Sequence, residues 1–283
     1  MKIAHIADIQ VKNRNQNLFT PYQLHLHNIL KSLEQNKDIE VAVLSGDFFE
    51  YATPEESERQ LIYEFISKLI SIDHIKEIVL INGNHDLEKT NKKKVEKENV
   101  LIENENSYEI NAIYLLDKLI SQLNKSDKII YCKDSKIYDS RLSADLKYVA
   151  YSLEDGMNPD LSEINPDSFN ICIYHAMLKE YVEYVNLPIR KDVLESLISI
   201  EQFPQNSLIL AGDIHEPLHF QGSKGQNFYY PGSTQQHTHS EGDYFKIING
   251  ELIHHSQAHS KYINIYDVNL TNKSYKLEKI NIN

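Results

Sequence analysis

The sequence predicts an α/β fold with a largely parallel central sheet flanked by helices. Two observations predict it. Apolar runs of strand length alternate with helical patterns through the first half of the chain, as in successive βαβ units. After residue 208 the pattern becomes strand-rich. Because the 283 residues include 41% hydrophobic residues and contain neither a repeat nor a Gly/Ser linker, we predict one domain over residues 1–283.

Three apolar runs in the first half have the length of buried strands. They cover residues 3–7, 41–44 and 78–81. His5 interrupts the first run. Because side chains alternate along a strand, His5 points to the face opposite Asp8, and we predict that it is a hydrogen-bonded core residue.

Two amphipathic helices separate these strands. In the first, Tyr22, Leu26 and Ile29 recur at helical spacing. The second begins after Pro54, because proline fixes φ at a value suited to the first turn and the acidic residues that follow favour the positive helix end. A further helical pattern covers about residues 110–123.

The rest of the chain combines one polar segment with short strands. Residues 87–107 are rich in Lys, Glu and Asn and predict an exposed, mobile insertion, in which the lysines form a solvated loop. Residues 258–283 predict a C-terminal β extension with a turn at residues 271–273. Strand-like runs lie at residues 128–131, 147–151, 170–174, 208–210, 261–268 and 275–282.

Composition excludes several classes of protein. The chain has 29 basic and 41 acidic residues, and its net charge of −12 repels a phosphate backbone over the surface as a whole. The two cysteines, Cys132 and Cys172, exclude a disulfide framework and a cysteine-built zinc site, so any metal needs His and oxygen ligands. The sequence carries neither an 18-residue apolar run nor a signal peptide, and we expect a cytoplasmic protein without membrane association.

Polar blocks follow five of the predicted strands, at the edge where open α/β sheets bind their ligands. Each block alone is as readily explained by turn formation. Five blocks at one edge, with histidines among them, favour a metal site. The blocks are Asp8-Ile9-Gln10, Gly46-Asp47, Gly83-Asn84-His85-Asp86, Tyr174-His175 and Gly212-Asp213-Ile214-His215.

In this order the blocks resemble the signature of the calcineurin-like metallophosphoesterase superfamily over residues 1–216. Two further segments, 46–49 and 230–234, are similar to the SbcD-type DNA repair nucleases, including viral versions. The resemblance implies a two-sheet β-sandwich core flanked by helices. It also implies a metal-dependent DNA exonuclease or endonuclease acting in repair, recombination or replication.

The resemblance further implies a site for two divalent ions, Mn²⁺ in most relatives, with Mg²⁺ as the alternative. Asp47 would bridge the two ions. His85 would stabilise the transition state or protonate the leaving oxygen, with Asp86 orienting it. His237 and His239, near the turn at residues 231–233, are expected to line the substrate groove. By position, Asp8, Gln10, Asp47 and His215 would bind one ion, and Asp47, Asn84, His175 and Asp213 the other.

Two of these positions depart from the family pattern. Gln10 stands where the family has His, and Asp213 stands where the first His of a Gly-His-x-His block is expected. Both replacements can still coordinate a metal. The resulting oxygen-rich set, with three carboxylates, favours manganese or magnesium over zinc.

Two other functions stay open from the sequence. One is a phosphoesterase that uses the same metal centre to hydrolyse nucleotides or other small phosphates. The other is a non-catalytic subunit that uses the fold as a scaffold. The family resemblance also implies DNA, an SMC-like ATPase of the SbcC type, and a second copy of the chain as partners. Little of the chain is left for the helical segment that docks on the ATPase, and the helices at 55–72 and 110–123 are candidates for dimerisation. For a viral version the expected location is the host cytoplasm.

Overall fold

The computed structural model contains two six-stranded sheets that pack face to face, with helices outside. It describes residues 1–12, 16–87, 120–122, 127–164, 168–234, 244–248, 251–255 and 261–282. The α/β class and the two-sheet core flanked by helices are therefore confirmed.

The first sheet has the strand order β14-β13-β1-β2-β3-β4. Strands β1 to β4 are parallel, and the C-terminal pair β13 and β14 continues the sheet in antiparallel orientation beside β1. The strands are β1 (Lys2–Ile6), β2 (Ile39–Ser45), β3 (Glu77–Ile81), β4 (Ile129–Tyr131), β13 (Tyr262–Asn269) and β14 (Ser274–Asn281).

The second sheet has the order β5-β6-β7-β8-β10-β9, with a parallel centre and antiparallel edge strands. Its strands are β5 (Ile137–Asp139), β6 (Leu146–Tyr151), β7 (Phe169–His175), β8 (Leu208–Gly212), β9 (Leu218–Gln221) and β10 (Asn227–Tyr230). A separate hairpin consists of β11 (Tyr244–Ile248) and β12 (Glu251–His255).

Four α-helices have both of their ends within the described residues. The two long ones, α1 (Gln16–Gln35) and α2 (Glu56–Ser71), match the two helices that the apolar spacing predicts. The short helices α3 (Lys179–Tyr184) and α4 (Lys191–Ser196) lie between β7 and β8 and were not predicted, because six residues are too few for a periodic pattern. Residues 120–122 are helical, and the other residues of the pattern at 110–123 lie outside the described residues.

The core has three layers. The apolar faces of α1 and α2 cover one side of the first sheet, through residues such as Leu26 and Phe65. Alternating side chains of the two sheets, such as Val43 and Ile171, fill the space between them. An aromatic layer around Tyr174 and Phe228 covers the far side of the second sheet.

Two buried polar residues link the sheets. His5 is fully buried and its Nε2 lies 3.0 Å from Ser45 Oγ, which itself donates to the Leu210 carbonyl, so the predicted core role of His5 is confirmed. Glu77 in β3 accepts hydrogen bonds from Ser140 Oγ at 2.8 Å and from the Tyr148 hydroxyl at 2.6 Å. These contacts fix the sheets relative to each other, because a buried polar group left unpaired is costly.

Candidate metal centre

The loops after β1, β2, β3, β7 and β8 meet at one edge of the sandwich. Hydrogen bonds join the first two loops, from the Asp8 amide to the Gly46 carbonyl at 3.2 Å and from the Gln10 amide to the Asp47 carbonyl at 2.8 Å. The third loop joins them through the His85 amide, which donates to Asp47 Oδ1 at 3.0 Å. The carboxyl ends of five strands therefore deliver the predicted polar blocks to one place.

Left-handed backbone conformations are concentrated among the candidate ligands. Asp8, Gln10, Asp47 and Asp213 have φ values of 52°, 46°, 54° and 91°. A non-glycine residue in this region is strained by about 1–3 kcal/mol, and such strain persists where the surroundings hold it. Here it turns the side chains sharply out of the strands and into the site.

Three of these side chains form a compact, buried ligand set. One ligand atom from each of Asp8, Asp47 and His175 lies within 4.8 Å of the others. The relative exposure of these residues is 0%, 1% and 0%. Two carboxylates and an imidazole buried this closely are a donor set that a divalent cation stabilises.

Gln10 and Asn84 are hydrogen-bonded to this set. Gln10 Nε2 donates to Asp47 Oδ2 at 2.9 Å, and His175 Nε2 lies 3.0 Å from Asn84 Oδ1 and 3.2 Å from Asp47 Oδ1. His175 Nε2, Asn84 Oδ1 and Asp47 Oδ1 are therefore close enough together for one divalent ion to contact all three.

Asp213 and His215 reach the set from the loop after β8. The Asp213 amide donates to Asp8 Oδ1 at 2.9 Å. Burial raises the pKa of the Asp213 carboxyl, and the nearby charge of Asp47 raises it further, although His175 and His215 oppose the shift. Contacts thus join the side chains of five predicted ligands, whereas Asp213 is joined through its backbone amide and His215 influences the set through its charge. The assignment of the seven residues to two ions stays a prediction.

His175 is held in the orientation that metal-binding histidines adopt. Its Nδ1 lies 2.6 Å from the Ser45 carbonyl, which can only accept, so Nδ1 carries a proton and Nε2 faces the carboxylates. Burial lowers the pKa of His175, but the charge of Asp47 and its hydrogen bond outweigh burial and raise it.

The two carboxylates of the set differ in electrostatic environment. Burial raises the pKa of Asp8, and the charge of Asp47 adds to this shift. Burial also raises the pKa of Asp47, but the charge and hydrogen bond of His175 outweigh burial and lower it. Bringing a divalent ion into the site would favour the ionised form of both carboxylates.

Two glycines allow this close approach. A Cβ at Gly83 would lie 2.0 Å from Asp47 Oδ1, and a Cβ at Gly212 would lie 2.2 Å from the Ser45 carbonyl oxygen. Any side chain at these positions would displace the ligands or their support. The sequence pattern of glycine before polar residues therefore reflects packing at the site as well as turn formation.

His85 is half-buried beside the ligand set, and the loop after β2 holds its ring. Its Nδ1 lies 2.7 Å from the Glu50 carbonyl, which leaves Nε2 for a substrate. The carboxylate of Asp86, expected to orient His85, instead accepts hydrogen bonds from the backbone amides of Phe48, Phe49 and Gly83 at 2.9–3.3 Å. The contact that orients His85 is therefore with Glu50, and a catalytic contribution of Asp86 stays a prediction.

Other predicted features fall outside the described residues. His237 and His239 lie there, as do residues 88–107 of the predicted insertion. Sequence reasoning missed Ser45 and Glu50, whose backbone carbonyls hold His175 and His85. A backbone contact does not depend on side-chain identity, so the sequence carried no signal for either.

Comparison with known proteins gives two findings. The family model described as calcineurin-like phosphoesterase matches residues 1–217, which include all seven predicted ligands. The chain is also 24% identical over 241 residues to an uncharacterized protein of Acanthamoeba polyphaga mimivirus. That alignment covers 84% of this chain and 16% of the relative, so the chain spans about a sixth of the relative's length.

One further finding concerns membranes. Within the part of the chain that the structure describes, none of the helices combines the length and the apolar character needed to cross a bilayer.

Proposed function

The chain belongs to the calcineurin-like phosphoesterase family, and from this premise we propose that it is a metal-dependent nuclease that hydrolyses phosphodiester bonds in DNA. Membership implies metal-dependent phosphoester hydrolysis. The substrate is our inference, as is an SbcD-type role in DNA repair, recombination or replication. The single observation that carries the proposal is the buried set of Asp8, Asp47 and His175 with His85 beside it.

Divalent ions fit the chemistry of this donor set. Asp8, Gln10, Asp47, Asn84, His175, Asp213 and His215 are the residues that would hold them. When bound, such ions activate water and neutralise charge on the phosphate oxygens. We propose Mn²⁺ as the resident ion, with Mg²⁺ as the alternative, because oxygen ligands predominate in the set.

The protein's own groups position the reaction. The Ser45 carbonyl orients His175, and the Glu50 carbonyl orients His85 with Nε2 towards the substrate. His85 then donates a proton to the leaving oxygen or stabilises charge on the phosphate. Asp86 ties together the loops after β2 and β3, which carry Asp47 and His85.

Support for DNA as the substrate comes from the segment 230–234, which is similar to SbcD-type nucleases. It packs directly against the metal centre: the Ser233 amide donates to the His215 carbonyl at 3.2 Å, and the Thr234 amide donates to the Asp8 carbonyl at 3.4 Å. Both Ser233 and Thr234 are buried, so the loop is fixed before substrate arrives.

The test is cleavage of labelled single- and double-stranded DNA with Mn²⁺, Mg²⁺ or a chelator. We expect metal-dependent cleavage that the chelator and Asp47→Asn both abolish. Asp267→Asn is the matched control, since this exposed carboxylate lies near the C-terminal end of β13, beside the start of β1 and away from the metal centre. This variant should cleave DNA like the unaltered protein. Intact DNA under all metal conditions, together with rapid hydrolysis of a nucleotide or bis-aryl phosphate, would exclude a nuclease.

A small-molecule phosphoesterase is the second candidate, because the net charge of −12 opposes approach of a polyanion. It would hydrolyse nucleotides on the same metal centre and leave DNA intact. A scaffold subunit would do neither. An SMC-like ATPase partner and a homodimer that packs through α2 are further proposals that rest on the family resemblance alone.

A further inference from the structure

A cleft of about 240 Å³ opens beside His85. We call it the His85 cleft, and its lining residues are Glu50, Tyr51, Ala52, Asn84, His85 and Leu87. Pockets for drug-sized ligands measure about 300–1,000 Å³, so this cleft holds one small ring system.

The His85 cleft adjoins the metal centre through two of its lining residues. Asn84 Oδ1 lies 3.0 Å from His175 Nε2, and the His85 amide donates to Asp47 Oδ1 at 3.0 Å. A group in the cleft can therefore belong to the same molecule as a phosphate at the ligand set.

The lining favours an uncharged, flat occupant. Tyr51, Ala52 and Leu87 contribute apolar surface, and Tyr51 contributes an aromatic ring. The one carboxylate, Glu50, lies 3.7 Å from Lys12 Nζ, and this ion pair offsets its charge. A second phosphate would gain little from such a lining, whereas a nucleobase presents apolar faces and N–H edges to it.

The loop after β2 lines the cleft and also holds the His85 ring. The Glu50 carbonyl holds His85 Nδ1 at 2.7 Å, and the next residue is Tyr51. Because this contact leaves His85 Nε2 for the leaving oxygen, the neighbouring cleft lies on the leaving-group side of the scissile phosphate.

We propose that the His85 cleft is a subsite for the nucleobase on the leaving-group side, and that Tyr51 stacks on this base and so favours substrates that carry a base at this position. The inference rests on the proposed phosphodiesterase function and names the substrate group recognised there. Recognition by stacking tolerates any base, because every base has a π face.

The test uses two dinucleoside phosphates that differ only in the leaving nucleoside. One carries 2-aminopurine, and the other is abasic, with hydrogen at C1′. We expect kcat/KM to favour the base-bearing substrate about tenfold, within the range that stacking on one aromatic side chain provides. Tyr51→Ala should reduce this preference to less than about twofold, and Tyr51→Phe should retain it, because the ring stacks without its hydroxyl group.

A fluorescence titration gives a second readout without cleavage. The 2-aminopurine dinucleotide is titrated with protein in a chelator, and stacking on Tyr51 should quench its emission. Tyr51→Ala should abolish the quenching, whereas Tyr63→Ala, a change at a half-buried tyrosine of α2, should leave it intact. If Tyr51→Ala does not fold, Tyr51→Leu keeps apolar bulk without the ring and should behave in the same way.

The outcomes separate the subsite from the proposed function. Equal cleavage of both substrates by the unaltered protein, or an unchanged preference in Tyr51→Ala, would overturn the subsite and leave the phosphodiesterase intact. Failure to cleave either substrate with Mn²⁺ or Mg²⁺ would overturn the proposed function, and the quenching titration would still decide whether Tyr51 stacks on the base.

Discussion

Asp47 contacts three other parts of the site: its carboxylate meets Gln10 Nε2, the His85 amide and His175 Nε2. Asp47→Asn should therefore abolish hydrolysis and most of the metal binding, because a neutral amide cannot replace a carboxylate that contacts so many partners. Metal content measured by mass spectrometry, together with kcat, checks this expectation.

His85→Ala is the informative contrast, since the hydrogen bond from His85 to Asp47 comes from its backbone amide and survives the substitution. Metal content should stay close to that of the unaltered protein, while kcat falls by roughly 10²–10⁴-fold, the usual effect of losing a general acid. Equal loss of metal in Asp47→Asn and His85→Ala would mean that His85 is a ligand.

Gln10 and Asp213 are the two candidate ligands that depart from the family pattern. Asp213→Ala should weaken Mn²⁺ binding more than Gln10→Ala, because it removes a charged ligand and not a neutral one. Restoring histidine at either position should retain activity and move the metal preference towards zinc, which imidazole suits. Calorimetric titration measures both effects, and unchanged affinity in Asp213→Ala would remove Asp213 from the ligand set.

His5 makes stability depend on pH. Burial lowers the pKa of His5 to about 3, below the value near 6.5 of an exposed histidine. The unfolded chain therefore binds the extra proton first as pH falls, so this stabilisation is complete above about pH 6.5 and decreases as pH falls towards 3.

The measurement is the free energy of unfolding of His5→Asn between pH 6.5 and 4. Its slope against pH should be shallower than that of the unaltered protein by at most about 1.4 kcal/mol per pH unit. His27→Asn, at an exposed position on α1, should keep the original slope. Identical slopes in His5→Asn and the unaltered protein would show that His5 does not contribute.

At the scale of elements, β3 and β6 are joined by a buried hydrogen-bond group. Glu77 in β3 accepts from the Tyr148 hydroxyl of β6, and burial raises the pKa of Tyr148, with the charge of Glu77 adding to the shift. Both residues lie between the sheets, where water does not replace a lost partner.

Glu77→Ala should destabilise the fold by about 2–4 kcal/mol, because it leaves a cavity and unpaired donors on Ser140 and Tyr148. Denaturant unfolding measures this loss. Glu77→Gln keeps an acceptor and most of the volume and should cost less, and Glu64→Ala, on the exposed face of α2, should change stability by less than about 0.5 kcal/mol. A loss no larger in Glu77→Ala than in Glu64→Ala would contradict the linking role.

At the scale of the whole molecule, metal binding should couple to stability. The ligand set combines side chains from residue 8 to residue 175, and such a set exists only in the folded chain. Manganese at 100 times its Kd should add about 2.7 kcal/mol to the free energy of unfolding, or roughly 5 °C in Tm.

A thermal melt with Mn²⁺ or a chelator checks this coupling. Asp47→Asn should lose the shift, whereas Asp267→Asn should keep it. A shift of the same size in Asp47→Asn would place the stabilising ion elsewhere on a molecule whose net charge of −12 attracts cations generally.

The elements that carry a long or repeated pattern could be predicted from the sequence. The strands β1, β2 and β3 and the helices α1 and α2 follow from apolar runs and helical spacing, because a buried face of that length leaves a periodic signal. The polar blocks could be recognised for the same reason, because each is the first polar segment after an apolar strand. The family match over residues 1–217 includes those same blocks.

How the blocks meet became visible in the tertiary structure. It placed one ligand atom each of Asp8, Asp47 and His175 within 4.8 Å, and it assigned the orientation of His85 to the Glu50 carbonyl. It also shows the His85 cleft, which Tyr51 lines. Backbone carbonyls, left-handed turns and clefts depend on the packing of segments far apart in the chain, so local patterns of residue type carry no record of them.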